Sequence, residues 1–208
     1  MKLYALPVGM LQTNCYILVN EDLKEAVVVD PGGDAGRIIS HLEVLKVKTA
    51  AIFITHGHSD HISALNEVRE ATGAPVYISR EDAPALEDAN RNLSFFVGTA
   101  IKCAAPEYFF EDGKDVQAAG FTFKIYATPG HTKGGVCIHN KENNFVFVGD
   151  TVFCESIGRT DLPGGSYREL LESIKSKLLV LDDGVVLLPG HGPKTTVGWE
   201  RRRNPFLQ

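Results

Sequence analysis

The sequence predicts an α/β fold in which two β-sheets stack and helices cover their outer faces, an αββα sandwich built as a single domain over residues 1–208. Three observations lead there. Apolar β-branched runs, strand-end loops carrying polar residues and stretches of helical period follow one another in both halves of the chain. The loops Thr128-Pro129-Gly130-His131 and Leu188-Pro189-Gly190-His191 echo each other at strand ends. No low-complexity segment or proline-rich linker divides the chain, and a chain of 208 residues can remove roughly 70% of its extended surface from water without disulfide or metal staples.

Residues 14–19 and 26–30 are apolar runs ended by the turn signal Asp30-Pro31-Gly32-Gly33, and they read as strands. Ile38, Ile39, Leu42 and Leu45 then recur at helical spacing, which predicts a helix over 34–46. A buried strand at 50–54 runs into Thr55-His56-Gly57-His58-Ser59-Asp60-His61. One helix comes next, with Ile62, Leu65 and Val68 on its inner face, and then a strand at 75–78. Residues 81–106, with Phe95-Phe96-Val97, mix acidic and apolar residues and read as a surface loop with a short helix, with a mobile or substrate-facing segment as the alternative. Strands are expected at 107–110, 121–127, 135–139, 144–148 and 184–188, with a helix at 166–179.

Composition narrows the function. Lys and Arg number 21 against 26 Asp and Glu, a formal charge of -5, which argues against nucleic acid and anionic membranes and in favour of a small-molecule partner. Cys15, Cys103, Cys137 and Cys154 form no paired motif, so neither a disulfide framework nor a cysteine zinc site is expected, and a reducing, cytoplasmic setting fits. The N-terminal stretch is interrupted by Pro7 and Gly9, and no run approaches the ~20 apolar residues of a membrane span.

Histidine carries the chemistry. Five of the seven histidines lie in Gly-, Asp- or Pro-flanked loops, whereas His41 and His139 lie in ordinary helix or strand patterns. In His56-x-His58-x-Asp60-His61, residues 56 and 58 share a face of an extended exit because side chains alternate with period two. A turn into the following helix can bring Asp60 and His61 towards the same place. Four ligand-type residues exceed the three that one catalytic zinc usually takes, so two metals are expected. His131 in TPGHT, Asp150 in VGDT and His191 in PGHG follow strands and supply further ligands.

The ordered set HxHxDH, TPGHT, GDT and PGHG resembles the metallo-β-lactamase superfamily over nearly the whole chain, Asp30-Pro31-Gly32 included. Within it the chain looks like the short bacterial form of the glyoxalase II (hydroxyacylglutathione hydrolase) branch, on the strength of residues 156–165 and the ending from Gly192 to Phe206. The resemblance implies the metallo-β-lactamase fold of two mixed sheets. It also implies that His56, His58 and His131 hold one divalent metal and Asp60, His61 and His191 a second, with Asp150 bridging. Zinc suits these ligands, and iron or manganese are accepted by the same set. With 17 residues after His191, the helical region with which the longer relatives grip glutathione is expected to be absent.

The same resemblance implies a dinuclear hydrolase that cleaves a thioester such as S-lactoylglutathione by attack of a bridging hydroxide, with Asp60 also orienting that hydroxide. The paired Asp60-His61 and the carboxylate at 150 argue against a true β-lactamase, and His58 argues against the di-iron redox relatives, which carry Glu there. A mono-iron persulfide dioxygenase is the alternative within the superfamily, and a non-catalytic, metal-organised binding module the alternative outside enzymes, although such a module should have lost a ligand. Lys133 is a candidate for a substrate carboxylate, with a solvated surface lysine as the alternative, and Arg159 is another candidate unless an ion pair with Asp161 pins its loop. Arg201, Arg202 and Arg203 read as an exposed face or a subunit contact, and Cys154 as a buried small residue.

Overall fold

The computed structural model describes residues 1–208, except for the side chains of Phe96 and Val97, so that part of the Phe95-Phe96-Val97 run lies outside the described residues. The chain forms two compact units, Met1–Phe110 with Gln117–Phe121, and Glu111–Val116 with Thr122–Gln208.

The first sheet has six strands in sequence order: β1 (Lys2–Val8), β2 (Thr13–Asn20), β3 (Glu25–Val29), β4 (Lys48–Phe53), β5 (Val76–Ser79) and β6 (Tyr108–Phe110). β1, β2 and β3 pair antiparallel, and β3 to β6 pair parallel. The parallel pairs need crossovers, which helices α1 (Ala35–Leu45), α2 (Ser59–Ile62), α3 (Leu65–Thr72) and α4 (Ala83–Glu87) help to provide. Ile38 and Leu42 of α1 and Leu65 and Val68 of α3 join one apolar core with Ile17, Val28, Ile52 and Ile78 of the sheet. Each side chain so buried is worth roughly 1.5–3 kcal/mol against exposure.

Two local features differ from the sequence-based expectation. β1 is a strand despite Pro7, because it is the edge of its sheet, where a missing N–H breaks no central ladder. The helix expected around Ile62, Leu65 and Val68 is two helices. The Ala64 N–H, which a continuous helix would give to Asp60, is donated to the Pro31 carbonyl at 2.9 Å, and the helix breaks there.

The second sheet runs β14 (Thr195–Thr196), β13 (Val186–Pro189), β10 (Phe145–Gly149), β9 (Val136–Asn140), β8 (Phe121–Ala127) and β7 (Asp115–Ala118). β10 and β13 are parallel, and β8 with β9, β9 with β10 and β13 with β14 are antiparallel. Between β10 and β13 lie a hairpin, β11 (Val152–Phe153) with β12 (Ser156–Ile157), and α5 (Tyr167–Ser173), whose helical path continues as one π turn through Ile174–Leu178. Ser166 caps α5 by accepting from the Glu169 N–H. Leu170, Ile174 and Leu178 pack with Val146, Val148, Leu187 and Val197. Both sheets are therefore mixed and carry helices, as expected.

α6 (Val197–Arg203) ends the regular structure. Its basic run is exposed, as expected, but its members also have partners. Arg201 donates to Asp183 and to the carbonyls of Leu179 and Leu181, Arg202 donates to Asp183, and the Arg203 guanidinium lies 5.9 Å from the Trp199 ring. No helix among the described residues is long and apolar enough to cross a membrane.

His139 in β9 gives this unit a pH dependence. Burial, with Lys141 adding like-charge repulsion, pushes the ring down to about 4, and its Nδ1 lies 3.2 Å from the Tyr126 hydroxyl. An unfolded histidine titrates near 6.5. Between those values the unfolded chain takes up a proton that the folded chain refuses, so stability is lost as pH falls from about 6.5 to about 4. Melting temperature followed across that window should fall less steeply in His139→Gln than in the wild type; equal slopes would discharge His139 as the cause.

Candidate metal centre

Each unit builds its own set of ligand-type side chains, starting from strand ends. In the first unit, the chain leaving β4 delivers Thr55 and His56, the turn into α2 carries His58, and α2 itself carries Asp60 and His61. His56, His58 and His61 are all buried. The rings of His56 and His58 are 4.8 Å apart and nearly perpendicular, and those of His56 and His61 are 4.1 Å apart. Ring nitrogens of His56 and His58 lie within 4.8 Å of each other, as do those of His56 and His61, and Asp60 brings a carboxylate oxygen equally near to His61. The four residues that the sequence singles out here do converge.

The partners behind these rings decide which nitrogen each ring presents. Asp30, buried at the end of β3, accepts from the Thr55 N–H and hydroxyl, both at 2.7 Å, and from His61 Nδ1 at 3.0 Å. A carboxylate only accepts, so His61 donates from Nδ1 and keeps its lone pair on Nε2. The Thr55 hydroxyl spends its hydrogen on Asp30, so at 3.1 Å it can only accept from His56 Nδ1, which leaves the lone pair of His56 on Nε2 as well. This is the arrangement in which imidazole serves as a metal ligand. Asp60 is held by the Thr13 hydroxyl at 3.1 Å, and its Oδ2 stands 3.6 Å from His61 Nε2.

The loop is clamped from outside as well. The Gly57 N–H donates to the buried Asp82 at 2.9 Å, and the Ser59 N–H to the Asn92 carbonyl at 2.8 Å. Residues 81–106 thus contain the expected short helix, but they also grip the histidine loop, which a plain surface loop would not. Gly32 has no substitute: a Cβ there would fall 1.8 Å from the Asp60 carbonyl oxygen.

In the second unit, His131 follows β8, Asp150 follows β10 and His191 follows β13. Asp150 Oδ2 lies 3.6 Å from Nε2 of both His131 and His191. The buried His131 donates from Nδ1 to the Arg159 carbonyl at 2.8 Å, so its Nε2 also carries a lone pair towards a carboxylate. Two electron-pair donors facing each other at that distance are a donor set for a cation. Gly158 lies against this set much as Gly32 lies against Asp60, with room for no Cβ, which would meet the Asp150 carbonyl oxygen at 1.8 Å.

The two substrate-binding candidates separate. Lys133 is exposed. The Arg159 side chain forms a two-pronged pair with Asp161, 2.8 Å at each contact, which holds the Asp161 carboxyl down to about 2. Its main-chain oxygen, rather than its charge, touches a ligand-type residue. Cys154 is partly exposed rather than buried, because it sits in the β11–β12 turn; burial and the nearby Glu200 and Glu155 push its thiol up. Asp30, Asp82, Asn92 and the Arg159 carbonyl are roles that sequence reasoning missed. Only Asp30 left a signal, as an acid at a strand end before Pro-Gly-Gly.

A profile of the Metallo-beta-lactamase superfamily matches residues 8–191. Hydroxyacylglutathione hydrolase GloC of Haemophilus influenzae is 37% identical over 209 residues, covering 100% of this chain and 98% of that protein. Among solved structures, the BLEG-1 B3 metallo-beta-lactamase is 41% identical, covers 100% of both chains and has a TM-score of 0.95. TTHA1623 in a di-iron-bound form is 35% identical over 98% of this chain and 100% of its own, with a TM-score of 0.88.

Removing Asp30 tests the orienting network. Asp30→Ala is expected to weaken binding of a divalent cation roughly 10–100-fold, the usual cost of losing such a partner. Competition against a chromophoric chelator reads this directly, and unchanged affinity would deny Asp30 that role.

Proposed function

The chain belongs to the metallo-beta-lactamase superfamily and has its fold, and from that premise we propose a dinuclear metal-dependent hydrolase that cleaves a thioester of a small hydroxyacid, of the S-lactoylglutathione kind. The observation that carries the metal reading is the set of hydrogen bonds behind the rings, which leaves Nε2 of His56, His61 and His131 as the donor atom. The thioester reading is supported by the likeness to a hydroxyacylglutathione hydrolase along the whole chain.

In this proposal His56, His58 and His131 hold one cation, Asp60, His61 and His191 hold the other, and Asp150 serves both. The donor set, imidazole with carboxylate, suits zinc and accepts iron or manganese. Iron gains weight from the similar structure described in a di-iron-bound form. Bound divalent cations would supply Lewis acidity, bringing the ionisation of water from about 15.7 to near 7 and polarising the carbonyl under attack.

The chain's own groups do the rest. Asp60, steadied by the Thr13 hydroxyl, orients the attacking water. A thiolate leaves without a strong general acid, because a thiol ionises near 8.5. Lys133 is the cation offered to a substrate carboxylate, since the Arg159 guanidinium is engaged by Asp161. The expected partner is this small molecule, not nucleic acid or membrane, and the expected setting is the cytoplasm.

A second reading has its own observation. The similar structure described as a B3 metallo-beta-lactamase favours lactam hydrolysis at the same site and stands against setting that activity aside on ligand pattern alone. Elemental analysis of protein purified without added metal, with parallel assays of S-lactoylglutathione, a coenzyme A thioester, a chromogenic cephalosporin and glutathione persulfide, separates the readings. Two metal equivalents with thioester turnover are expected. Cephalosporin turnover alone would transfer the assignment to the second reading, and one iron with oxygen uptake would replace both. His58→Ala and Asp150→Ala are each expected to lose metal and abolish hydrolysis, so full turnover in either would make the ligand assignment untenable.

A further inference from the structure

The C-terminal run Trp199-Glu200 through Asn204 has no part in the chemistry above, yet it contains a charged side chain with no exposure at all. Glu200, on α6, is fully buried. Its Oε1 accepts from the Thr195 hydroxyl at 2.5 Å, and its Oε2 accepts from the Glu155 N–H at 3.0 Å and from Asn204 Nδ2 at 2.8 Å. The other hydrogen of Asn204 Nδ2 goes to the Ser156 carbonyl at 2.9 Å. Two successive backbone groups of the β11–β12 turn are therefore gripped from α6, one as donor and one as acceptor. Glu155 sits there at φ 57, a left-handed conformation unfavourable for a residue with a side chain, and its carboxylate accepts from Trp199 Nε1 at 3.0 Å.

The hairpin lies between two groups of the second unit's ligand set. Asp150 precedes β11. After β12, the Gly158 N–H returns to the Thr151 carbonyl at 3.3 Å, the Gly158 Cα fits against the Asp150 carbonyl, and the Arg159 carbonyl takes the Nδ1 hydrogen of His131. Moving the turn moves residues 158 and 159, and with them the acceptor that aims His131. Burying a carboxylate is costly unless it is fully hydrogen-bonded, and here the bonds are spent on a turn that adjoins ligand-type residues.

We infer that Glu200, with Asn204, is a positioning residue for the metal centre: it acts through the β11–β12 turn and the Arg159 carbonyl to fix His131 and Asp150. This rests on the ligand assignment proposed above. Glu200→Leu is the test, because it keeps a side chain of similar size in the buried site and removes both acceptors, so the Glu155 N–H and Asn204 Nδ2 lose their partner. Glu200→Gln can turn its carbonyl oxygen to those two donors and its amide nitrogen to the Thr195 hydroxyl, and should stay near the wild type.

Zinc affinity is measured by chelator competition well below the melting temperature, with the melting temperature of the metal-free protein recorded beside it. Glu200→Leu should weaken zinc binding roughly 10–100-fold while that protein remains folded at the assay temperature. Asn204→Ala, which removes the grip on Ser156, one bond to Glu200 Oε2 and the acceptor of the Phe206 N–H but leaves Glu200 on the Glu155 N–H, should weaken zinc less, and it serves as the test if Glu200→Leu does not fold. A lowered melting temperature with wild-type zinc affinity for both equivalents would make Glu200 a structural staple only and overturn the inference, leaving the proposed function intact. A wild-type chain that takes up no zinc, iron or manganese would overturn both.

Discussion

Asp30 occupies the end of β3 with its oxygens committed to Thr55 and His61, and the ligand set of the first unit depends on that commitment. An imidazole has two nitrogens, and the one that donates a hydrogen cannot hold a cation. By accepting from His61 directly and from His56 through the Thr55 hydroxyl, a single buried carboxylate sets the presenting face of two rings. The second unit reaches the same end with a backbone carbonyl, that of Arg159, behind His131. Either acceptor is sufficient, because neither a carboxylate nor a carbonyl has a hydrogen to give.

The sheets serve this arrangement by bringing strand ends to defined places. Parallel pairing of β3 with β4 puts Asp30 beside Thr55, 25 residues away, with the Asp30 N–H bonded to the Phe53 carbonyl at 2.9 Å. Parallel pairing of β10 with β13 brings the segments before Asp150 and His191 side by side in the same manner, and the Gly190 N–H reaches the Gly149 carbonyl at 2.8 Å. Glycine at 32 and at 158 then allows a second backbone segment to lie directly on the carbonyl of an acidic ligand-type residue. Side-chain bulk at either position would displace that residue, so these glycines belong to the site although they carry no chemistry.

Much of the architecture was legible because local pattern and tertiary demand agree. The strands at 26–30, 121–127 and 144–148 are apolar and β-branched or aromatic, and each is found within a residue or two of its expected bounds. Where the two diverge, a partner distant in sequence is responsible. Pro7 conceals β1 until its edge position is known, and Ala64 breaks a helix of good periodicity because Pro31 offers a competing acceptor. β11 and β12 are two residues each, too short for any period, and are held by Glu200 and Asn204 from more than 40 residues away.

What the sequence determined by itself was the inventory of donor atoms. Histidine and aspartate bind cations through groups that no neighbour needs to create, and their placement beside glycine and proline at strand ends marks them wherever they finally lie. Only the folded chain decided how those atoms are aimed. Aim depends on the second nitrogen of the ring, taken for His61 by Asp30 and for His131 by the Arg159 carbonyl, and on the Thr13 hydroxyl that holds Asp60, groups 28 to 47 residues distant in sequence. Hydrogen bonds across such separations arise from strand pairing and loop approach, and no local spacing encodes them.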